Sequence, residues 1–296
     1  MLKIYSMLDD KWICRFRTIL WPSTAIFLLG FLGMACGEGQ RSLPETPQHT
    51  GEPQGVEKAL PDTTEVDPYR YAEIGTPLGN IVIRLYNETV KHRDNFIKLT
   101  ESGFYDGLYF HRVMRGLMIQ GGDPNTKNVN PADDGLGGPG YVIDSEILPY
   151  SYHKRGEVCA IQSVEVPGKS SGSQFYIVQG GDAIPEIILN DQEQQVREQT
   201  GIKTFHYSQE ARQHYLREGG APWLDLQYTC FGEVVSGLDA LDRLAHLETP
   251  RTTNEILNEP SLLDRPKQIQ KAKMTIKMLE QPPKLPQRTN KKARPN

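Results

Sequence analysis

A strong excess of charge of either sign is missing from this chain. Its 296 residues carry a formal net charge of −4, with 24% charged and 38% hydrophobic residues, so a nucleic-acid surface is not its main business. Long apolar runs are also missing. The one candidate, Thr18–Cys36, is short for a spanning helix and is weakened near its start by Pro22. No internal repeat is visible, which excludes a solenoid or an array. His153, His206, His214 and His246 show no metal-ligand spacing and are expected at the surface, and neither a metal nor a cofactor is expected. Cysteine is scarce: there are four, and Cys14 and Cys36 fall in the N-terminal region. The body keeps Cys159 and Cys230, each in an apolar strand-like run, which fits one disulfide or two buried thiols equally.

What is present divides the chain into four stretches. In residues 1–36, Lys3, Lys11, Arg15 and Arg17 precede the apolar run and small residues, the pattern of an export signal. Cys36 at its end suggests lipidation of the thiol as in a bacterial lipoprotein, with an uncleaved N-terminal anchor as the rival. Either reading sends the rest of the chain to the cell envelope, facing the periplasm or the cell surface. Residues 37–68 are rich in Pro, Gly, Glu and Thr, too poor in apolar area to offset ordering, and read as a disordered tether. Residues 281–296 read as a disordered basic tail.

Between them, residues 69–280 read as a mainly β domain. "YRYAEIGTPLGNIVIRLY" gives two strands about a Thr-Pro-Leu-Gly turn. "ETVKHRDNFIKLTESG" has helical spacing and stops at Gly103. Short strand-like runs follow, then a helix near "GLDALDRLAHL" and a last strand, "AKMTIKMLE". Many short strands with few helices predict a closed antiparallel β-barrel with helical caps. Residues 182–220, charged and Gln-rich with a helical pattern, read as an inserted helical pair, a possible dock for a protein partner.

The hairpin "FHRVMRGLMIQGGD" puts polar side chains where a core should be. A two-residue loop, Arg115-Gly116, sets Arg112 opposite Ile119. A three-residue loop, Arg115 to Leu117, sets Arg112 opposite Gln120 and Met114 opposite Met118, with Gly116 supplying the positive φ. The second register gathers a guanidinium, an amide and thioethers on one face, although by itself Met114 reads as a core residue. No acidic partner for Arg112 lies nearby in sequence.

"YFHRVMRGLMIQGGD", "SSGSQFYIVQG" and "WLDLQYTCFGEVVSGLD", in this order, resemble the cyclophilin family of peptidyl-prolyl cis–trans isomerases over roughly residues 69–280, interrupted by the 182–220 insert. The resemblance implies an eight-stranded antiparallel barrel capped by two helices, with an active groove on its outer surface and proline-containing polypeptides as substrates. It implies Arg112 as the catalytic donor. Met118, Tyr176 and Leu224 would hold the proline ring, and Gln120 the substrate backbone. Phe110 and His111 would line the same region, with His111 structural rather than catalytic. Gln174 would support Arg112 or bind substrate, and Trp223 would close the side. Leu117 stands where the family usually has phenylalanine, and Tyr228 where many members carry histidine. The loop "AIQSVEVPGKSSGS" departs from the family's Ala-Asn-Ala run at Ile161 and Gln162. These departures leave a second reading: a tethered peptide-binding or chaperone module with weak or no turnover.

Overall fold

A computed structural model of the chain describes residues 68–128 and 130–283. The expected signal segment with Cys36, nearly all of the expected tether and the tail from residue 284 lie outside the described residues. Among the described residues no helix is long and apolar enough to cross a membrane.

The strands are β1 (Arg70–Thr76), β2 (Gly79–Leu85), β3 (Arg112–Met114), β4 (Met118–Gly121), β5 (Val142–Asp144), β6 (Glu157–Gln162), β7 (Lys169–Val178), β8 (Cys230–Ser236) and β9 (Thr275–Leu279). Eight of them form one curled sheet in the order β3-β4-β7-β6-β8-β2-β1-β9. The ninth, β5, pairs with Lys169–Ser171 of β7, on the stretch that β4 leaves open by pairing only with Phe175–Val178. All pairings are antiparallel, as the short strands and turns predict. The two ends of the sheet do not meet as a full ladder. They are joined at the bridge between Tyr109 and Lys273, where Phe110 N–H donates to the Ala272 carbonyl (2.9 Å) and Met274 N–H to that of Leu108 (2.8 Å). The barrel therefore closes through the lead-in segments of β3 and β9.

Strand alternation fills the interior. Ala72, Ile74, Ile81, Ile83, Leu85, Ile119, Val158 and Ile177 are all buried in one cluster. At its aromatic centre, Phe175 meets Phe96, Tyr105 and Phe110 edge-on, with ring centroids 5.7–6.1 Å apart. Two helices add their apolar faces: α1 (Val90–Glu101) through Phe96 and Leu99, and a later one, Leu238–Ala245, through Leu241 and Leu244. Gly122 lets the chain pass close to β7. Its φ is +88°, and a Cβ there would stand 2.2 Å from the Ser173 carbonyl oxygen.

Within 182–220 lie α2 (Glu186–Thr200) and α3 (Gln209–Glu218); the later helix, Leu238–Ala245, is α4. Gly201 ends α2 in the left-handed region, and the Ser208 hydroxyl caps α3 by accepting from Ala211 N–H. Ile184, Leu189, Tyr207, Ala211 and Tyr215 form a separate buried cluster here. The pair thus has an apolar centre of its own.

Candidate functional site

The polar face of the β3–β4 hairpin is where the three-residue loop puts it: Arg112 is opposite Gln120 and Met114 opposite Met118. Gly116 takes φ +84°, and Leu117 N–H closes the loop on the Met114 carbonyl at 2.9 Å. Gln120 is in turn opposite Tyr176 of β7, so the face continues onto that strand. A relay of amides follows. Arg112 Nη1 donates to Gln120 Oε1 (3.4 Å), Gln120 Nε2 to Gln174 Oε1 (3.1 Å), and Gln174 Nε2 to the carbonyls of Gly135 (2.9 Å) and Gly137 (2.8 Å). Gln174 therefore supports Arg112 through Gln120. The loop it grips is held by Asp123, whose carboxylate accepts from the N–H groups of Asn125, Gly135 and Gly137. Asp123 is a buried turn residue that anchors the site's rear wall.

The arginine has an acidic partner after all. Asp264, buried in an irregular segment before β9, stands with Oδ2 3.5 Å from Arg112 Nε, and its Oδ1 accepts from Arg251 Nε at 2.6 Å. Val113 N–H donates to the Asp264 carbonyl at 2.8 Å, which fastens the same segment along β3. Burial pulls the Arg112 pKa below its ordinary value and Asp264 opposes that fall, so the group remains a cation at any physiological pH. Its side chain keeps 19% exposure, enough to meet a ligand from solvent.

Beside this cation lies an apolar cluster on the sheet's outer side. Met118, Cys159, Tyr176, Val178 and Cys230 are buried, and Met114, Leu117, Ile161, Trp223, Leu224 and Tyr228 pack against them. The structure brings together Arg112, Leu117, Met118, Gln120, Gln174, Tyr176, Trp223, Leu224 and Tyr228. Met114, expected in the core, belongs to this outer cluster, because it shares strand parity with Arg112. Phe110 requires a correction. Its side chain is wholly buried in the barrel interior, edge-on to Phe175, and cannot line a groove. The strand phase breaks at His111: Phe110 N–H bonds across the barrel seam to Ala272 in the lead-in to β9, whereas Arg112 begins the ladder with β4. His111 is 5% exposed, and desolvation first, then the Arg112 charge, lower its pKa to about 3. It is a neutral, structural imidazole.

A turn at 222–228 carries Trp223, Leu224 and Tyr228, and nothing in the sequence showed how it is held. Leu226 sits there at φ +61°, a strained setting for a non-glycine residue. The insert buttresses it. Tyr207 O–H donates to the Pro222 carbonyl (2.8 Å), and Tyr215 O–H to Asp225 Oδ2 (2.7 Å). Gln227 Nε2 donates to Gln199 Oε1 at 2.8 Å. Asp225 Oδ1 meets both the backbone N–H and Nδ1 of His153 at 2.7 Å, while His153 Nε2 lies 2.8 Å from the Tyr176 hydroxyl. His153, expected at the surface, is 1% exposed. It links the insert, through Asp225, to the floor of the apolar cluster. A lone loop histidine has no periodic signal by which this burial is legible.

The chain also matches known proteins. Residues 71–265 match the family model for cyclophilin type peptidyl-prolyl cis-trans isomerase/CLD. A Staphylococcus aureus protein named as a peptidyl-prolyl cis-trans isomerase is 30% identical over 175 residues, 58% of this chain and 78% of its own length. A Staphylococcus epidermidis protein of the same name is 29% identical over the same shares. Among solved structures, a Cryptosporidium parvum cyclophilin type isomerase covers 72% of this chain and 99% of its own, with TM-score 0.48 and 21% identity. The chain belongs to the cyclophilin type peptidyl-prolyl cis-trans isomerase family.

Two outcomes test the supporting structure. Because the folded chain refuses a proton at His111 that the unfolded chain accepts below pH 6.5, stability falls as pH drops from 6.5 toward 3. Urea unfolding at pH 7 and pH 4 should show this loss, with the His111→Gln variant losing about 3 kcal/mol less than wild type. Tyr215→Phe removes one donor from the buried Asp225 carboxylate. Thermal unfolding should record a loss of about 1–3 kcal/mol, and the Trp223 fluorescence of the folded variant should shift. Unchanged stability would mean that the insert does not brace the turn.

Proposed function

We propose that this chain accelerates cis–trans exchange of Xaa-Pro bonds, with Arg112 donating a hydrogen bond to the prolyl nitrogen in the twisted transition state. The observation that carries this reading is the setting of Arg112, a permanent cation held between Asp264 and Gln120 at the edge of the outer apolar cluster. Rotation about the bond faces a barrier of about 18–20 kcal/mol because the nitrogen lone pair is delocalised into the carbonyl. In the twisted state the nitrogen pyramidalises and regains the lone pair. A fixed donor aimed at it stabilises that state and not the planar ones. A 10³-fold acceleration needs only ~4 kcal/mol, which one or two charge-assisted bonds in a partly dry groove can supply.

Met118, Tyr176 and Leu224 would receive the proline ring, with Leu117, Trp223 and Tyr228 around it and Gln120 on the substrate backbone. The buried Tyr176 would serve as floor rather than wall. The C. parvum protein has also been solved in the presence of the dipeptide Ala-Pro. For this chain, a proline-containing substrate follows from membership of the family. Export, with attachment through Cys36 or an uncleaved N-terminal segment, would set this activity to the folding of envelope proteins; the basic and apolar pattern of residues 1–36 supports it.

The test is cis-to-trans exchange of a short Xaa-Pro peptide followed by NMR. Wild type is expected to accelerate exchange, and Arg112→Ala to lose about 10²- to 10³-fold in kcat/KM while remaining folded. Binding of the peptide by wild type without acceleration would establish the peptide-binding module instead.

A further inference from the structure

Beneath the proposed proline pocket lie two sulfurs that isomerisation does not use. Cys159 on β6 and Cys230 on β8 are directly opposed across an antiparallel pairing. Both are free thiols in this structure, Cys159 Sγ donating to Cys230 Sγ at 2.8 Å, and the residues are 0% and 2% exposed. A register shift after Val158 sets this pair apart from the regular ladder, and the contact between the two sulfurs brings them within reach of one bond. We infer that Cys159 and Cys230 form a redox-active clamp, a disulfide that ties β6 to β8 under the floor of the peptide groove. The inference does not depend on prolyl isomerisation.

The surroundings favour bond formation over the other use of such a cluster. His153 Nε2 lies 3.8 Å from Cys230 Sγ, near enough to favour the thiolate. Burial alone would raise the Cys230 thiol, but contact with Cys159 and the His153 charge bring it well below its ordinary value. His153, Cys159 and Cys230 also have the composition of a metal site. However, both ring nitrogens of His153 are already engaged, Nδ1 by Asp225 and Nε2 by the Tyr176 hydroxyl. A metal would have to break the second contact.

The chemistry balances with a small-molecule disulfide such as oxidised glutathione as oxidant. The Cys230 thiolate attacks one oxidant sulfur, forming a mixed disulfide and expelling one thiolate. Cys159, after losing its proton, attacks Cys230 Sγ and expels the second. Two electrons pass from the protein dithiol to the oxidant, which leaves as two thiols. Since both sulfurs are buried, exchange proceeds before β8 closes on β6 or through local opening of that pair. The bond lies two residues from Tyr228, and Cys159 is opposite Tyr176. It therefore stiffens the pocket floor as well as the barrel.

The full-length protein, unfolded and refolded either with oxidised glutathione or with dithiothreitol, is denatured with a maleimide and mapped by mass spectrometry. After oxidation the peptides containing Cys159 and Cys230 should be linked and unlabelled, and after reduction both should label. The oxidised form should melt higher by on the order of 10 °C, a difference absent from Cys230→Ser. The clamp is overturned if both thiols label after oxidative refolding, or if bonds run to Cys14 or Cys36. It is overturned equally if protection is released by a chelator rather than by a reductant, or if the two forms melt together.

Discussion

Register at one hairpin governs the rest of this molecule. With a three-residue loop, Arg112 faces Gln120, and Gln120 faces Tyr176 on the next strand. A slip by one residue would turn the guanidinium and the amide into the barrel and bring Val113 and Ile119 to the surface. Burial of those two apolar residues, 2% and 0% exposed, and the positive φ at Gly116 together hold the register that presents the cation. The polar face is thus a consequence of core packing on its other side.

A cation at the edge of a groove needs to be held without being neutralised, and the arrangement around Arg112 does both. Asp264 keeps the guanidinium charged despite burial, yet shares its carboxylate with Arg251. On the opposite side the amides of Gln120 and Gln174 pass its position back to loop carbonyls fixed by Asp123. In the proposed mechanism such a chain would place the donor before the substrate arrives, so that no reorganisation would be required when the bond twists. The helical insert works in the same sense: Tyr207 and Tyr215 brace the turn bearing Trp223 and Leu224. The insert, which composition suggests as a dock for a partner, also backs this turn.

Some of this was legible in the residues and some was not, for identifiable reasons. Alternation and loop length place Arg112, Gln120, Met114 and Met118, because a strand's period of two is strict once the loop is known. The resemblance misplaces Phe110, which belongs to the seam, where the pairing partner changes. Asp264 could not be paired with Arg112 from spacing, since it reaches β3 from an irregular segment with no periodicity to read. His153 is hidden for a related reason: its burial depends on Asp225 and on an insert whose packing no local pattern encodes. Long-range polar pairs were the least legible part of the site, and the apolar framework the most.

The decisive question is whether Arg112 acts on the twisted bond or on the resting peptide. On one Xaa-Pro peptide, both the dissociation constant and the catalysed exchange rate can be measured for wild type and Arg112→Ala. A transition-state donor predicts a fall in exchange at least tenfold larger than the loss of affinity. Equal losses in the two quantities would show that Arg112 only holds the substrate, and would contradict its role as the donor to the prolyl nitrogen.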